Sequence, residues 1–327
     1  ISQRKRQYTY LVTLSIKKIL KTVLPLVFGG FLVWYSISKI SVDILLGYFK
    51  DANYNWIFLG LFFGILSHFS RAYRWKFMLD PLGFKPKFTN SILAVLVGYL
   101  VNLALPRAGE VSRALVLTNY ENIPFEKGFG TIVAERIADL IMMLCIIIIT
   151  LFVQFDFIYE LLSNNFDPTK IGVVLVILIL IFYIFTYFVK KATSGFFLRI
   201  KTFVFGLVEG VTSIFKMKKK WAFIFHTLFI WAMYVLMFWA TIPAIEGLEV
   251  PFGGVLIGFI AGGFSIAATN GGIGLYPIAV TAALALFDIP TEPASAFGWI
   301  MWTAQTAMVI VFGGLSFLLL PICNKAK

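Results

Sequence analysis

The sequence predicts an all-α integral membrane protein, with six full transmembrane helices and two re-entrant broken hairpins in an inverted repeat, and three observations carry that prediction. Of the 327 residues, 60% are apolar and 13% charged, whereas a soluble domain has about a quarter of its residues charged. The apolar residues gather in runs of about 20 or more, the length a helix needs to cross the hydrocarbon core. The 28 Lys and Arg outnumber the 16 Asp and Glu and sit mostly between those runs, as the basic residues of cytoplasmic loops do. The net charge of +12 is then a mark of topology and not of a nucleic-acid surface. Cys145 and Cys323 provide neither a disulfide framework nor a metal quartet, and no cofactor is implied.

A basic N-terminal segment leads into the first span, about 20 to 38. No small-residue cleavage site follows it, so it reads as a retained anchor and not as a signal peptide. Residues 39 to 54 read as an interfacial helix with an apolar stripe and charged flanks. The second span, about 55 to 75, ends in Ser67-His68-Phe69-Ser70-Arg71-Ala72-Tyr73-Arg74-Trp75. Segment 88 to 126 is too long for one span and breaks at Leu105-Pro106-Arg107-Ala108-Gly109, because proline lacks an N–H and glycine lacks conformational restraint. A third span covers 128 to 153; an acidic stretch at 154 to 168, a fourth span at 171 to 189, an interfacial segment at 196 to 216 and a fifth span at 221 to 245 follow. Segment 251 to 289 breaks at Asn270-Gly271-Gly272-Ile273-Gly274, and the last span runs from 294 to 320.

Charge bias assigns the sides. The N-terminal segment, with Arg4, Lys5, Arg6, Lys17, Lys18 and Lys21, and the loop 190 to 220, with eight basic residues, belong inside. Residues 154 to 168, with Asp156, Glu160 and Asp167, and 243 to 251, with Glu246 and Glu249, belong outside. Parity then requires segment 88 to 126 to enter and leave on the cytoplasmic side and segment 251 to 289 to do so on the opposite side. Both termini are cytoplasmic, and the inside segments hold 24 of the 28 basic residues. The chain is thus a single membrane domain, 1 to 327, of two inverted halves, 1 to 153 and 171 to 320, a plan in which broken helices line a polar midplane site.

The charges that do not fit in loops are the candidate site. Glu135, Arg136 and Asp139 fall within one arc of about 100° on the third span, and each costs on the order of 3 kcal/mol at the bilayer centre. They form either a self-neutralising lock on a neighbouring helix or the wall of a polar cavity. Asn102, Arg107, Glu110 and Arg113 flank the first break, with the charged residues spaced by three. Arginine offers a planar fork suited to phosphate oxygens, or, in a shallow hairpin, snorkels to headgroups. Arg71 and Arg74 beside Trp75 read as an interface anchor or as residues facing the first hairpin. His68 reads as a hydrogen-bonded intramembrane histidine. At the second break, Asn270, Gly271, Gly272 and Gly274, with Tyr276 after them, free backbone N–H groups at the start of a half-helix, an anion site by dipole and geometry. The four-residue ladder Gly254, Gly258, Gly262 reads as helix packing, within the chain or in a homo-oligomer.

The run from Gly98 through Asn102, Pro106, Gly109 and Glu110 to Arg113, followed by Glu135-Arg136-Ile137-Ala138-Asp139, resembles the membrane domain of bacterial lysylphosphatidylglycerol synthase/flippases. Arg71-x-x-Arg74-Trp75 and the late Gly271-Gly272-Ile273-Gly274-x-Tyr276-Pro277 element are similar to that family too. The resemblance covers nearly the whole chain. It implies a multi-pass protein of the bacterial inner (cytoplasmic) membrane that moves a phospholipid or lipid-linked headgroup between leaflets. The chain stops at Lys327 without the soluble synthase domain, so it is similar to stand-alone members, with a separate synthase as a partner. Where the family often has an acidic residue after the glycines, Tyr276 stands here, which points to a different headgroup. Two other classes stay open: an intramembrane headgroup transferase, against which stands the lack of a nucleophile with a paired base or a nucleotide-phosphate loop, and a scaffold for a partner enzyme.

Overall fold

The computed structural model describes residues 27–38, 40–105, 107–165, 167–202, 205 and 217–324. The basic N-terminal residues, Pro106 and most of 203–216 lie outside these. Among the described residues the chain is helical and has no strand, as a chain in hydrocarbon must be if each segment satisfies its own backbone groups. The helices are α1 (Val27–Ile37), α2 (Val42–Asp51), α3 (Tyr54–Leu79), α4 (Phe88–Ala104), α5 (Ala108–Glu121), α6 (Phe125–Val153), α7 (Phe155–Asn165), α8 (Pro168–Lys191), α9 (Lys220–Thr241), α10 (Phe252–Ala268), α11 (Leu275–Ala285) and α12 (Thr291–Cys323).

Three of these are long and apolar enough to cross a membrane: α6, α9 with its extension to Ala244, and α12, or up to four if α1 and α2 count as one bent span. α3 and α8 are helices of 26 and 24 residues where the second and fourth spans are expected. Asn53 caps α3 by accepting from the Asn55 N–H at 3.1 Å, and Asp167 caps α8 by accepting from Thr169 at 2.8 Å, with Pro168 in the first turn. α2 turns 85° from α1 and carries Asp43 in its first turn and Lys50 in its last. The acidic stretch after α6 is the helix α7 and not a loop. Its Phe157 ring stacks on Phe287 with centroids 4.6 Å apart, a contact that charge counting does not reveal.

Both breaks are present. Leu105 leaves helical geometry (φ −132°, ψ 114°) and Arg107 is left-handed (φ 61°) before α5 begins. After α10, Thr269 is extended, and Gly271, Gly272 and Gly274 take φ of 63°, 82° and 68° before α11. Each break folds its two helices against one another, α4 on α5 and α10 on α11. In the first hairpin Gly109 meets the carbonyl oxygen of Gly98 and the side chain of Asn102, and Asn102 Oδ1 accepts from the Gly109 N–H at 2.7 Å. A methyl group at Gly109 would overlap a backbone oxygen that cannot rotate away. Gly109→Ala should therefore lower thermal stability in detergent by about 1–3 kcal/mol, whereas Ala at Gly130, with nothing within 4 Å, should not.

α3 runs antiparallel to α9, with Gly60 against Thr241, Gly64 against Met237, and Arg74 bonded to Thr227. α4 packs on α12 and α10 on α6; α5 packs on α6 and α11 on α12; α3 touches α4 and α9 touches α10. One apolar core, including Phe238, Val255, Leu284, Phe297 and Ile300, fills the space among α9 to α12. Another, including Trp75, Leu79, Val95, Leu117 and Ile132, fills that among α3 to α6. All three members of the glycine ladder are used within the chain: Gly254 meets Val250 and Phe287, Gly258 faces the Phe238 ring and Gly262 faces the Tyr276 ring. The breaks meet each other, since a Cβ at Gly271 would lie 2.5 Å from Leu103 Cδ2, and Trp302 on α12 donates its indole N–H to the Gly271 carbonyl at 2.9 Å.

Candidate functional site

Two helices, α3 and α5, converge their charges on one point of α6. Glu135 and Asp139 are four residues apart and face α3, while Arg136 is rotated about 100° toward α5. From α3, Arg71 Nη1 donates to Glu135 Oε1 at 2.5 Å and to Asp139 Oδ2 at 2.7 Å. One turn on, Arg74 Nη2 donates to Asp139 Oδ1 at 3.1 Å and lies 3.4 Å from Glu135 Oε1, and its Nη1 donates to Thr227 of α9 at 2.9 Å. From α5, Arg113 grips Glu135 with two bonds, of 3.2 and 3.1 Å, and lies over the Trp75 ring with its Cζ 4.3 Å from the centroid. Trp75 is fixed by donating to Thr131 at 2.8 Å. Arg71 also reaches the Tyr234 hydroxyl at 3.3 Å, which is 3.1 Å from that of Tyr99.

The cluster has a closed side and an open rim. Arg71, Arg74, Arg113 and Glu135 are 0–3% exposed, so the interface-anchor reading of Arg71 and Arg74 and the headgroup-snorkelling reading of Arg113 do not hold. These residues bind α3, α5 and α6 together. The Arg136 and Glu110 side chains are 40% and 20% exposed, with Arg136 Nη2 3.0 Å from Glu110 Oε1 and Nη1 3.5 Å from Asp139. Asn102 holds the rim from α4, its Nδ2 3.5 Å from Glu110 Oε2. Four guanidinium groups, of Arg71, Arg74, Arg113 and Arg136, face three carboxylates, of Glu110, Glu135 and Asp139, which leaves one positive charge in excess.

Arg107 stands apart from this pairing. It is exposed, has left-handed backbone at the break, and makes no ion pair among the described residues. Left-handed geometry costs a non-glycine residue roughly 1–2 kcal/mol. Arg107→Gly should accordingly raise the melting temperature in detergent, by about 1 kcal/mol of stability, while removing the free guanidinium.

The glycine turn meets the first break at Leu103 but is not bonded to the arginine network. No hydrogen bond or ion pair joins Asn270, Gly271, Gly272, Gly274 or Tyr276 to the arginine network among the described residues. Asn270 is buried, the N–H groups of Gly271, Gly272 and Gly274 engage no acceptor among the described residues, and Tyr276 is packed in the core against Gly262. His68 is not hydrogen-bonded: it is 5% exposed and neither ring nitrogen has a partner among the described residues. The other histidine, His226, meets Ser70 Oγ through Nδ1 at 2.8 Å. Sequence reasoning missed Tyr99, Thr131, Thr227 and Tyr234. Thr227 and Tyr234 are seven residues apart on one face of α9, but that spacing does not tell them from packing residues, and Tyr99 and Thr131 lie on other helices. Among the described residues no group of three or more His, Cys, Asp and Glu stands close enough to hold a metal ion.

The family model described as "Lysylphosphatidylglycerol synthase TM region" matches residues 22–314. The UPF0104 membrane protein MJ1595 of Methanocaldococcus jannaschii is 30% identical over 125 residues, 37% of this chain and 37% of that protein. Glycosyltransferase AglD of Haloferax volcanii is 35% identical over 72 residues, 22% of this chain and 12% of that protein. The chain thus matches about a third of the length of the first relative and about an eighth of the second. No solved structure matches. The family match takes in both hairpins, the arginine network, two of the apolar spans and most of the third, and the chain is a multi-pass membrane protein that belongs to the lysylphosphatidylglycerol synthase TM region family.

Proposed function

We propose that the chain moves a phosphate-bearing lipid between the leaflets of the cytoplasmic membrane, the headgroup passing the open rim of the arginine network while the acyl chains stay in the bilayer. The observation that carries this reading is the pairing state of the rim. Arg107 is exposed at the hairpin break without an ion-pair partner among the described residues, beside a half-open Arg136–Glu110 pair. A phosphate arriving at Arg107 can take the place of Glu110 on Arg136, one anion exchanging for another on a fork built for bidentate oxygen binding. From the facing hairpin, the unbonded N–H groups of Gly271, Gly272 and Gly274 offer further donors to an anion. The closed side of the network stays locked throughout and serves as the fixed wall.

The inverted-repeat reading belongs to the same proposal. Exchanging α3 with α9, α4 with α10, α5 with α11 and α6 with α12 carries each of the main helix contacts onto another: α4 on α12 becomes α10 on α6, and α5 on α6 becomes α11 on α12. That correspondence supports two halves, each made of two spans, a hairpin dipping in from one face and a closing span, with six full spans in all. The basic bias then puts both termini in the cytoplasm. A second reading, transfer of a headgroup onto a lipid, draws on the 72 residues shared with a protein named a glycosyltransferase.

Lipids retained through purification distinguish these readings. With the transport reading, mass spectrometry of the purified protein finds phosphate-bearing lipids enriched over the bulk membrane, and the enrichment falls severalfold in Arg107→Gln. The same lipid profile as the bulk membrane in both proteins contradicts it. A headgroup-modified lipid that accumulates when protein and an activated donor are mixed favours transfer.

A further inference from the structure

A second set of polar groups lies beside the arginine network and is left unsatisfied by it. His68 is on α3, one turn before Arg71, and both ring nitrogens are buried without a partner among the described residues. Trp231 on α9 is 8% exposed, and its indole N–H is also unmatched. Between them stand the half-buried Tyr99 and Tyr234, whose hydroxyls are 3.1 Å apart. The His68 ring lies 4.4 Å from that of Tyr99, and the Trp231 ring lies 6.1 Å from that of Tyr234 at 78° and 6.3 Å from that of Phe259 at 84°. Rings from α3, α4, α9 and α10 thus form a wall that carries spare donors and acceptors.

The chemistry of that wall selects its ligand. An indole N–H only donates, a neutral imidazole donates at one nitrogen and accepts at the other, and a phenol does both. A partner must therefore offer donors and acceptors together, with apolar faces for the rings. A cation is repelled by Arg71 and by the network's excess positive charge. An added anion finds Arg71 already bound to Glu135 and Asp139. A sugar ring is neutral, its hydroxyls donate and accept, and its C–H faces pack on aromatic rings.

We infer that His68, Tyr99, Trp231 and Tyr234 form a subsite for the sugar of a lipid-linked headgroup, adjoining the phosphate position at Arg107 and Arg136. The phosphate end of this assignment rests on the transport reading above; sugar binding itself does not.

The test uses the full chain in nanodiscs and two photoreactive probes: phosphatidylglucose with a diazirine on the glucose, and phosphatidylglycerol with the diazirine on the headgroup glycerol. The sugar probe should mark peptides of α3 and α9 that contain His68 and Trp231, and the glycerol probe should not concentrate there. His68→Leu and Trp231→Phe should each cut the sugar labelling about five- to tenfold. His68→Leu removes an unmatched buried polar group, so it should melt no lower than the parent, and loss of labelling in it is not unfolding. Equal labelling of α3 and α9 by both probes, or undiminished labelling in both variants, overturns the subsite. Sugar labelling at these helices in a protein that fails to move lipid would leave the subsite standing and remove the transport reading.

Discussion

Glu135→Gln is expected to leave little folded protein. Glu135 is fully buried and receives Arg113 through two bonds and Arg71 through one, with Arg74 3.4 Å away. Removing its charge leaves the buried Arg113 without a counter-ion and Arg71 and Arg74 to share Asp139 alone, and loss of one partner from a buried pair costs about 3–5 kcal/mol. That is a large share of the 5–15 kcal/mol by which a typical domain is stable. Yield and the monodisperse fraction on size exclusion in detergent should collapse. Adding Arg113→Leu to Glu135→Leu should recover part of the loss, because the pair is then removed together and its two helices keep an apolar contact.

The second large effect is functional. Arg136 lies at the open rim, and its pair with Glu110 is partly exposed, so its contribution to stability is under about 1 kcal/mol. Arg136→Gln should therefore fold and melt like the parent, since Asp139 remains bound to Arg71 and Arg74. Lipid movement should fall about tenfold to a hundredfold, the range set by a lost charge-assisted hydrogen bond to phosphate. Glu110→Gln should act differently. It frees Arg136 without removing a phosphate ligand, so lipid binding should tighten or hold while release slows.

Much of this was legible in the sequence because membrane physics leaves few options. A charge in an apolar run is costly, so Glu135, Arg136 and Asp139 announced themselves, and proline and clustered glycine announced the breaks at 105–109 and 270–274. What the sequence did not yield was partnership and depth. Arg71 and Arg74 look like boundary residues because basic side chains beside a tryptophan usually are. They are core residues because α6 brings two carboxylates to them from 64 to 68 positions away. Of the two alternatives for the α6 cluster, the buried ion pairs of Glu135 are those of a lock, whereas Arg136 is partly exposed at the rim. α7 was hidden because its acidic residues outweigh Phe157 in any charge count, and the ring it packs on, Phe287, lies just past the end of α11. Tyr99, Tyr234, Thr131 and Thr227 carried no signal, since hydroxyl and aromatic residues are ordinary in membrane helices, and only their placement beside Arg71, Arg74 and Trp75 gives them a role.

The most direct measurement is transbilayer movement of fluorescent phospholipid in liposomes reconstituted with the protein, followed by dithionite quenching. The parent chain should expose inner-leaflet label to quenching well above protein-free liposomes, and Arg107→Gly, which relieves backbone strain and keeps the fold, should fall toward the protein-free rate. A parent chain that moves no labelled lipid across several phosphate-bearing headgroups, or an Arg107→Gly variant that moves it as fast as the parent, would contradict transport through the arginine rim.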